Sequence, residues 1–132
     1  MVNKPVYIAA SLIAIIGMIS ITSSGHFSAF AQGSNVPVTI VAGGSTMGDK
    51  GYSPNPVDVK VGQTVVWTNK DSVQHTITSG GPGSADSGKE FDSGLTKLLS
   101  PGSTFQHTFA KAGTFTYYCQ LHPTMLGTVK VQ

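Results

Sequence analysis

Past residue 35 the apolar positions recur with a period of two, in short runs cut by turn residues. Val36 to Ala42 reads Val-Pro-Val-Thr-Ile-Val-Ala and is ended by Gly43-Gly44-Ser45, which predicts a first strand. Gly48 to Asn55 is turn-rich, and Pro56 to Val61 then alternates apolar and polar residues like a half-buried strand. Gly62-Gln63 turns the chain into Thr64 to Thr68 (Thr-Val-Val-Trp-Thr), which Asn69 to Ser72 closes with turn chemistry. Further strands are expected over Val73 to Thr78, Ser103 to Phe109, Thr114 to Cys119 and Leu126 to Val131, with Lys111-Ala112-Gly113 turning between two of them. No helix-period segment stands out after residue 31. Short strands at this spacing predict an all-β Greek-key antiparallel sandwich of about seven to eight strands. Sixteen glycines and seven prolines supply the turns such a fold needs.

Two stretches break the pattern. Ser79 to Gly102 shifts to Gly, Ser, Pro and Asp, and is expected to be a long loop anchored by Phe91, Leu95, Leu98 and Leu99. At the other end, Lys4 precedes an apolar run from Val6 to Ile21, and Ala29-Phe30-Ala31 places small residues where a signal peptidase cuts. Residues 1–31 therefore read as an export signal, with an uncleaved membrane anchor as the alternative because the run is long for a signal core and short for a span. The rest, 32–132, is long enough to bury one core without staples.

Composition narrows the function classes. Only 11% of residues are charged and the formal net charge is +2, too weak a field for nucleic-acid binding. There is no His-Glu-x-x-His, phosphate-binding glycine motif or Ser-His-Asp pattern, so hydrolytic chemistry finds no support. A lone cysteine in an exported chain is unusual. Cys119 must be buried and inert, reactive, or held by a metal.

Its neighbours favour a metal. Tyr117-Tyr118-Cys119-Gln120-Leu121-His122-Pro123-Thr124-Met125-Leu126-Gly127 puts a thiolate, an imidazole and a thioether within seven residues between two strands. Thiolate and thioether together select copper in both oxidation states, whereas structural zinc wants four strong ligands and commonly a second cysteine. A blue-copper set needs one more histidine in the trigonal plane. His75, just past a turn, is expected to supply it. His107 lies mid-strand on the same face as Phe105 and Phe109 and reads as a packed strand residue. Met125 is taken as the weak axial ligand, the alternative being a loop residue that caps the site. Met47, in a distant Gly-rich loop, is a poor substitute.

Val59 to Asn69, then His75, then Gly113 to Cys119 and His122, resemble the plastocyanin and azurin family of cupredoxins. The short Cys119-x-x-His122-x-x-Met125 spacing, with Pro123 after the histidine, is closer to amicyanin. Leu121 stands where both relatives usually have proline, and Thr76 where an asparagine commonly braces the ligand loops. The resemblance implies one type 1 copper cycling between Cu(I) and Cu(II), with His75 as its buried ligand. It further implies that His122 reaches the surface within an apolar patch of Leu121, Pro123 and Leu126, where redox proteins dock. Tyr118 matches a tyrosine that in plastocyanins marks a remote electron route, or is an ordinary strand tyrosine. The expected function is single-electron shuttling outside the cytoplasm, with no enzymatic activity. The alternative is a small mononuclear copper enzyme acting on nitrogen oxides or oxygen species through an open axial site. A copper store or chaperone fits less well.

Overall fold

The computed structural model describes residues 33–132, so the leader expected over residues 1–31 lies outside the described residues. Eight strands are present: β1 (Val36–Ile40), β2 (Tyr52–Ser53), β3 (Val57–Val59), β4 (Thr64–Asn69), β5 (Thr78–Ser79), β6 (Thr104–Thr108), β7 (Gly113–Cys119) and β8 (His122–Val131). They form two four-stranded sheets, ordered β2-β1-β4-β6 and β3-β8-β7-β5. The alternation predicted from sequence is what buries one side of each sheet. Val65, Trp67 and Asn69 of β4 point inward, as do Met125, Gly127, Val129 and Val131 of β8. Most pairings are antiparallel, but each sheet carries one parallel pair, β1 with β4 and β3 with β8, because the chain crosses between sheets rather than turning back.

The core is centred on aromatic rings. Trp67, fully buried, lies 5.4 Å from Tyr117, 5.6 Å from Phe91 and 5.8 Å from Phe105 between ring centroids. Tyr117 stacks edge-on against Tyr52 at 4.7 Å. Its ring lies across Gly127, its register partner on β8, where a Cβ would collide with Tyr117 Cζ. Only glycine leaves room there.

Two segments differ from expectation. The strand anticipated over Val73 to Thr78 shrinks to Thr78–Ser79, because side chains take up its backbone groups. Asn69 Nδ2 donates to the Val73 carbonyl and the Ile77 N–H donates to Ser93 Oγ, while His75 makes a single bridge with Leu99. In the long loop Phe91 and Leu99 are buried anchors, but Leu95 is exposed. Gly43 to Gly51 folds into two short 3-10 turns, Gly44–Thr46 and Gly48–Gly51, that lie against β8.

Candidate metal centre

Strands β7 and β8 form a hairpin whose ladder runs regularly from Gly113↔Val131 to Tyr118↔Leu126 and then shifts, so that Cys119 pairs with His122. Pro123, Thr124 and Met125 are the excursion that this shift creates. It brings the Cys119 sulfur and the His122 imidazole together, with Sγ 3.5 Å from His122 Nδ1. The bridge to Leu99 holds His75 above them. The donor atoms of His75, Cys119 and His122 all lie within 4.8 Å of one another, and the two imidazole centroids are 4.9 Å apart. His75 and Cys119 are wholly buried, and His122 is half-buried.

Two of the three, His75 and Cys119, are oriented from behind. His75 Nε2 donates to Asp71 Oδ2 at 2.9 Å, which fixes the tautomer and leaves Nδ1 buried with no hydrogen-bond partner. Asp71 is itself buried, and its Oδ1 accepts from the Gly43 and Ser72 N–H groups at 3.0 and 2.7 Å. Burial raises the Asp71 carboxyl, but the Gly43 N–H, the His75 imidazole and the Ser72 N–H outweigh it and bring it down to about 2. For His75, burial disfavours the charged form, and the facing Cys119 sulfur and Asp71 carboxylate more than offset this, leaving its pKa raised.

The sulfur is held similarly. Burial pushes the Cys119 thiol up, while the His75 imidazole, the Thr76 N–H at 3.3 Å, the His122 imidazole and the Leu121 N–H pull it down to about 6. The loop brace is a threonine. Thr76 Oγ1 accepts the Gln120 N–H at 2.8 Å, and Gln120 Nε2 donates to Thr78 Oγ1 at 2.8 Å and reaches Asp92 at 3.3 Å. Thr78 Oγ1 in turn donates to Asp92 Oδ1, tying the ligand hairpin to the long loop.

Met125 is fully buried on the same hairpin, against Gly44 and Gly51. His107 is outside the cluster, stacked on Phe91 and Phe109 at 4.9 and 4.8 Å. Met47 is exposed. Leu121, Pro123 and Leu126 are exposed beside the half-buried His122. Tyr118 is largely covered, its hydroxyl 2.7 Å from Ser87 Oγ. The residues that sequence reasoning missed are Asp71 and the two glycines. A carboxylate four positions before the histidine was the available sign for Asp71; nothing local marks the glycines.

The residues fit copper. One thiolate and two imidazole nitrogens, one of them a buried Nδ1 with nothing to bond, converge where a soft, borderline cation would satisfy all three. Residues 38–132 match the family described as copper binding proteins, plastocyanin/azurin family. The chain belongs to that family. As a cupredoxin it binds one type 1 copper and transfers single electrons. Its relatives include plastocyanin from Scenedesmus fuscus, 32% identical over 67% of this chain and 94% of that protein. Amicyanin from Paracoccus denitrificans is 28% identical over 61% of this chain and 58% of that one. Among solved structures, a purple cupredoxin from Nitrosopumilus maritimus aligns with a TM-score of 0.64 at 36% identity, covering 74% of this chain and 99% of that one. The cupredoxin fold and the two-sheet topology therefore agree.

Proposed function

We propose that His75, Cys119 and His122 would hold the copper with Met125 as a weak fourth ligand, and that the protein is a closed one-electron carrier rather than an enzyme. The observation that carries this reading is the convergence of the three strong donors, with the His75 Nδ1 lone pair buried and otherwise unused. Bound copper supplies a one-electron couple between Cu(I) and Cu(II). The protein's part is to keep the donors still, because electron transfer is fast when ligands move little between oxidation states. Asp71 fixes the His75 ring, Thr76 donates to the sulfur and holds the Gln120 backbone, and Asp92 ties Gln120 to the long loop. Water is excluded from Cys119 and His75, both fully buried.

Electrons would enter and leave through His122, the one of the three strong donors that is not fully buried. The exposed Leu121, Pro123 and Leu126 around it offer an apolar rim on which redox proteins would dock. The wholly buried Met125 favours the carrier over a nitrogen-oxide or oxygen-species enzyme, which needs an open coordination position. Export from the cytoplasm is supported by the leader pattern over residues 1–31, whose apolar run would tether the protein to a membrane if uncleaved. Among the described residues no helix is long and apolar enough to cross a membrane.

Copper loading tests the reading. An intense visible thiolate-to-copper band is expected, lost in Cys119→Ser and unchanged by azide. A colourless copper(II) form would sink the ligand set, and an azide-sensitive band would move the reading to the enzyme.

A further inference from the structure

We propose that Gly51, backed by Gly44, positions the Met125 thioether: the missing side chains of this glycine pair form the seat that sets where the sulfur stands relative to the other donors. The proposal rests on Met125 being the axial ligand.

The two glycines are needed for space and not for backbone freedom. Neither is among the glycines with positive φ, so other residues could adopt their backbone conformation. A Cβ built on Gly51 would stand 2.9 Å from both Met125 Cγ and Met125 Cε, and 2.7 Å from the Gly44 carbonyl oxygen. On Gly44 it would stand 3.3 Å from Met125 Cε and 3.0 Å from the Gly51 carbonyl oxygen. Carbon atoms pack best at about 3.5–4.0 Å, so the Met125 chain already fills the seat, and an added methyl presses on it as well as on the facing glycine carbonyl. Methionine is the side chain most able to yield, having three rotatable bonds, and so a backbone change of one methyl is transmitted to the sulfur.

The seat is fastened at both ends. Gly51 C=O accepts the Val41 N–H at 3.0 Å, and Gly44 N–H donates to the Val41 carbonyl at 2.9 Å, tying the loop to the end of β1. Asn55 closes the other side. Its Nδ2 donates to the Asp49 carbonyl at 2.7 Å and to the Leu126 carbonyl at 3.0 Å, and its Oδ1 accepts the Thr128 N–H at 2.9 Å. One side chain thus clamps the glycine loop to the strand that carries Met125. The same loop donates Gly43 N–H to Asp71, the residue behind His75, so the seat of the thioether and the support of the imidazole share one rigid segment.

A double-mutant cycle tests this. Wild type, Gly51→Ala, Met125→Leu and the double variant are loaded with copper, and the reduction potential and the ratio of the two thiolate-to-copper bands are measured. Melting of the copper-free forms checks that each is folded. Gly51→Ala is expected to shift both potential and ratio, and most of that shift should vanish in the Met125→Leu background. Equal shifts in both backgrounds, or no shift in a folded Gly51→Ala protein, overturn the proposal while leaving Met125 a ligand. If Met125→Leu alone leaves potential and ratio at the wild-type values, the axial assignment falls and the seat falls with it. Should Gly51→Ala fail to fold, Gly44→Ala enters the same cycle and is read by the same outcomes.

Discussion

Asp71 shows how much a single carboxylate does in this centre. It accepts the Nε2–H hydrogen bond of His75, and it is itself held by two backbone N–H groups, so the imidazole ring can neither rotate nor change tautomer without breaking a buried pair. Partners of this kind typically contribute 10–100-fold to metal affinity. Asp71→Asn should therefore weaken copper binding by about 10–100-fold, measured by competition with a chelator. The pH dependence of affinity follows from Cys119. Its thiol, drawn down to about 6, is mostly ionised at neutral pH, so copper would displace little proton from it there. As pH falls through about 6 the thiol protonates, and His75, whose pKa is raised, is protonated too, so both changes oppose binding in acid. Thiolate ultraviolet absorption of the copper-free protein should titrate with a midpoint near 6, against about 8.5 for a free cysteine. A midpoint above 8 would mean the four stabilising groups do not act on the sulfur as the geometry implies.

At the scale of elements the hairpin of β7 and β8 is the decisive unit, and its tightest point is Gly127 under Tyr117. A methyl there would run into Tyr117 Cζ, Cε2 and the hydroxyl, and the fully buried ring is flanked by Tyr52 and Trp67. Gly127→Ala is expected to cost at least about 1–3 kcal/mol in chemical denaturation, the range for overpacking. A stability within about 0.5 kcal/mol of wild type would show the core to be looser than drawn. The hairpin is also where the sequence was most informative. Cys119, His122 and Met125 fall within seven residues, and strand signals bracket them on both sides. His75 could be reached by elimination, because His107 shares a face with two phenylalanines. The parts that were not legible depend on contacts between remote segments. The strand expected over Val73 to Thr78 has the right residue types, but Asn69 and Ser93 divert its backbone groups, and no local pattern announces that. Gly44 and Gly51 look like ordinary turn glycines until Met125 is found against them.

For the whole molecule, what matters is that the candidate metal centre shares only Cys119 and Met125 with a core cluster made otherwise of apolar and aromatic side chains. The aromatic cluster around Trp67 and the valines of β8 are packed by the fold alone, so the copper-free protein should remain folded. Copper should then stabilise it by mass action: at a free concentration about 100 times the dissociation constant the gain is about 2.7 kcal/mol. Melting should rise on loading and return to the copper-free value when a chelator removes the metal. A copper-free chain that melts without a cooperative transition would mean that the metal organises the sandwich instead.

The three-residue excursion at Pro123 to Met125 has one more consequence. The ladder between β7 and β8 ends at Leu126 and resumes only at His122, so residues between them can be added or removed without sliding Val129 and Val131 to the other side of the sheet. The donor-bearing segment behaves as an interchangeable cartridge: a longer one should retune the metal while the scaffold below keeps its pairing.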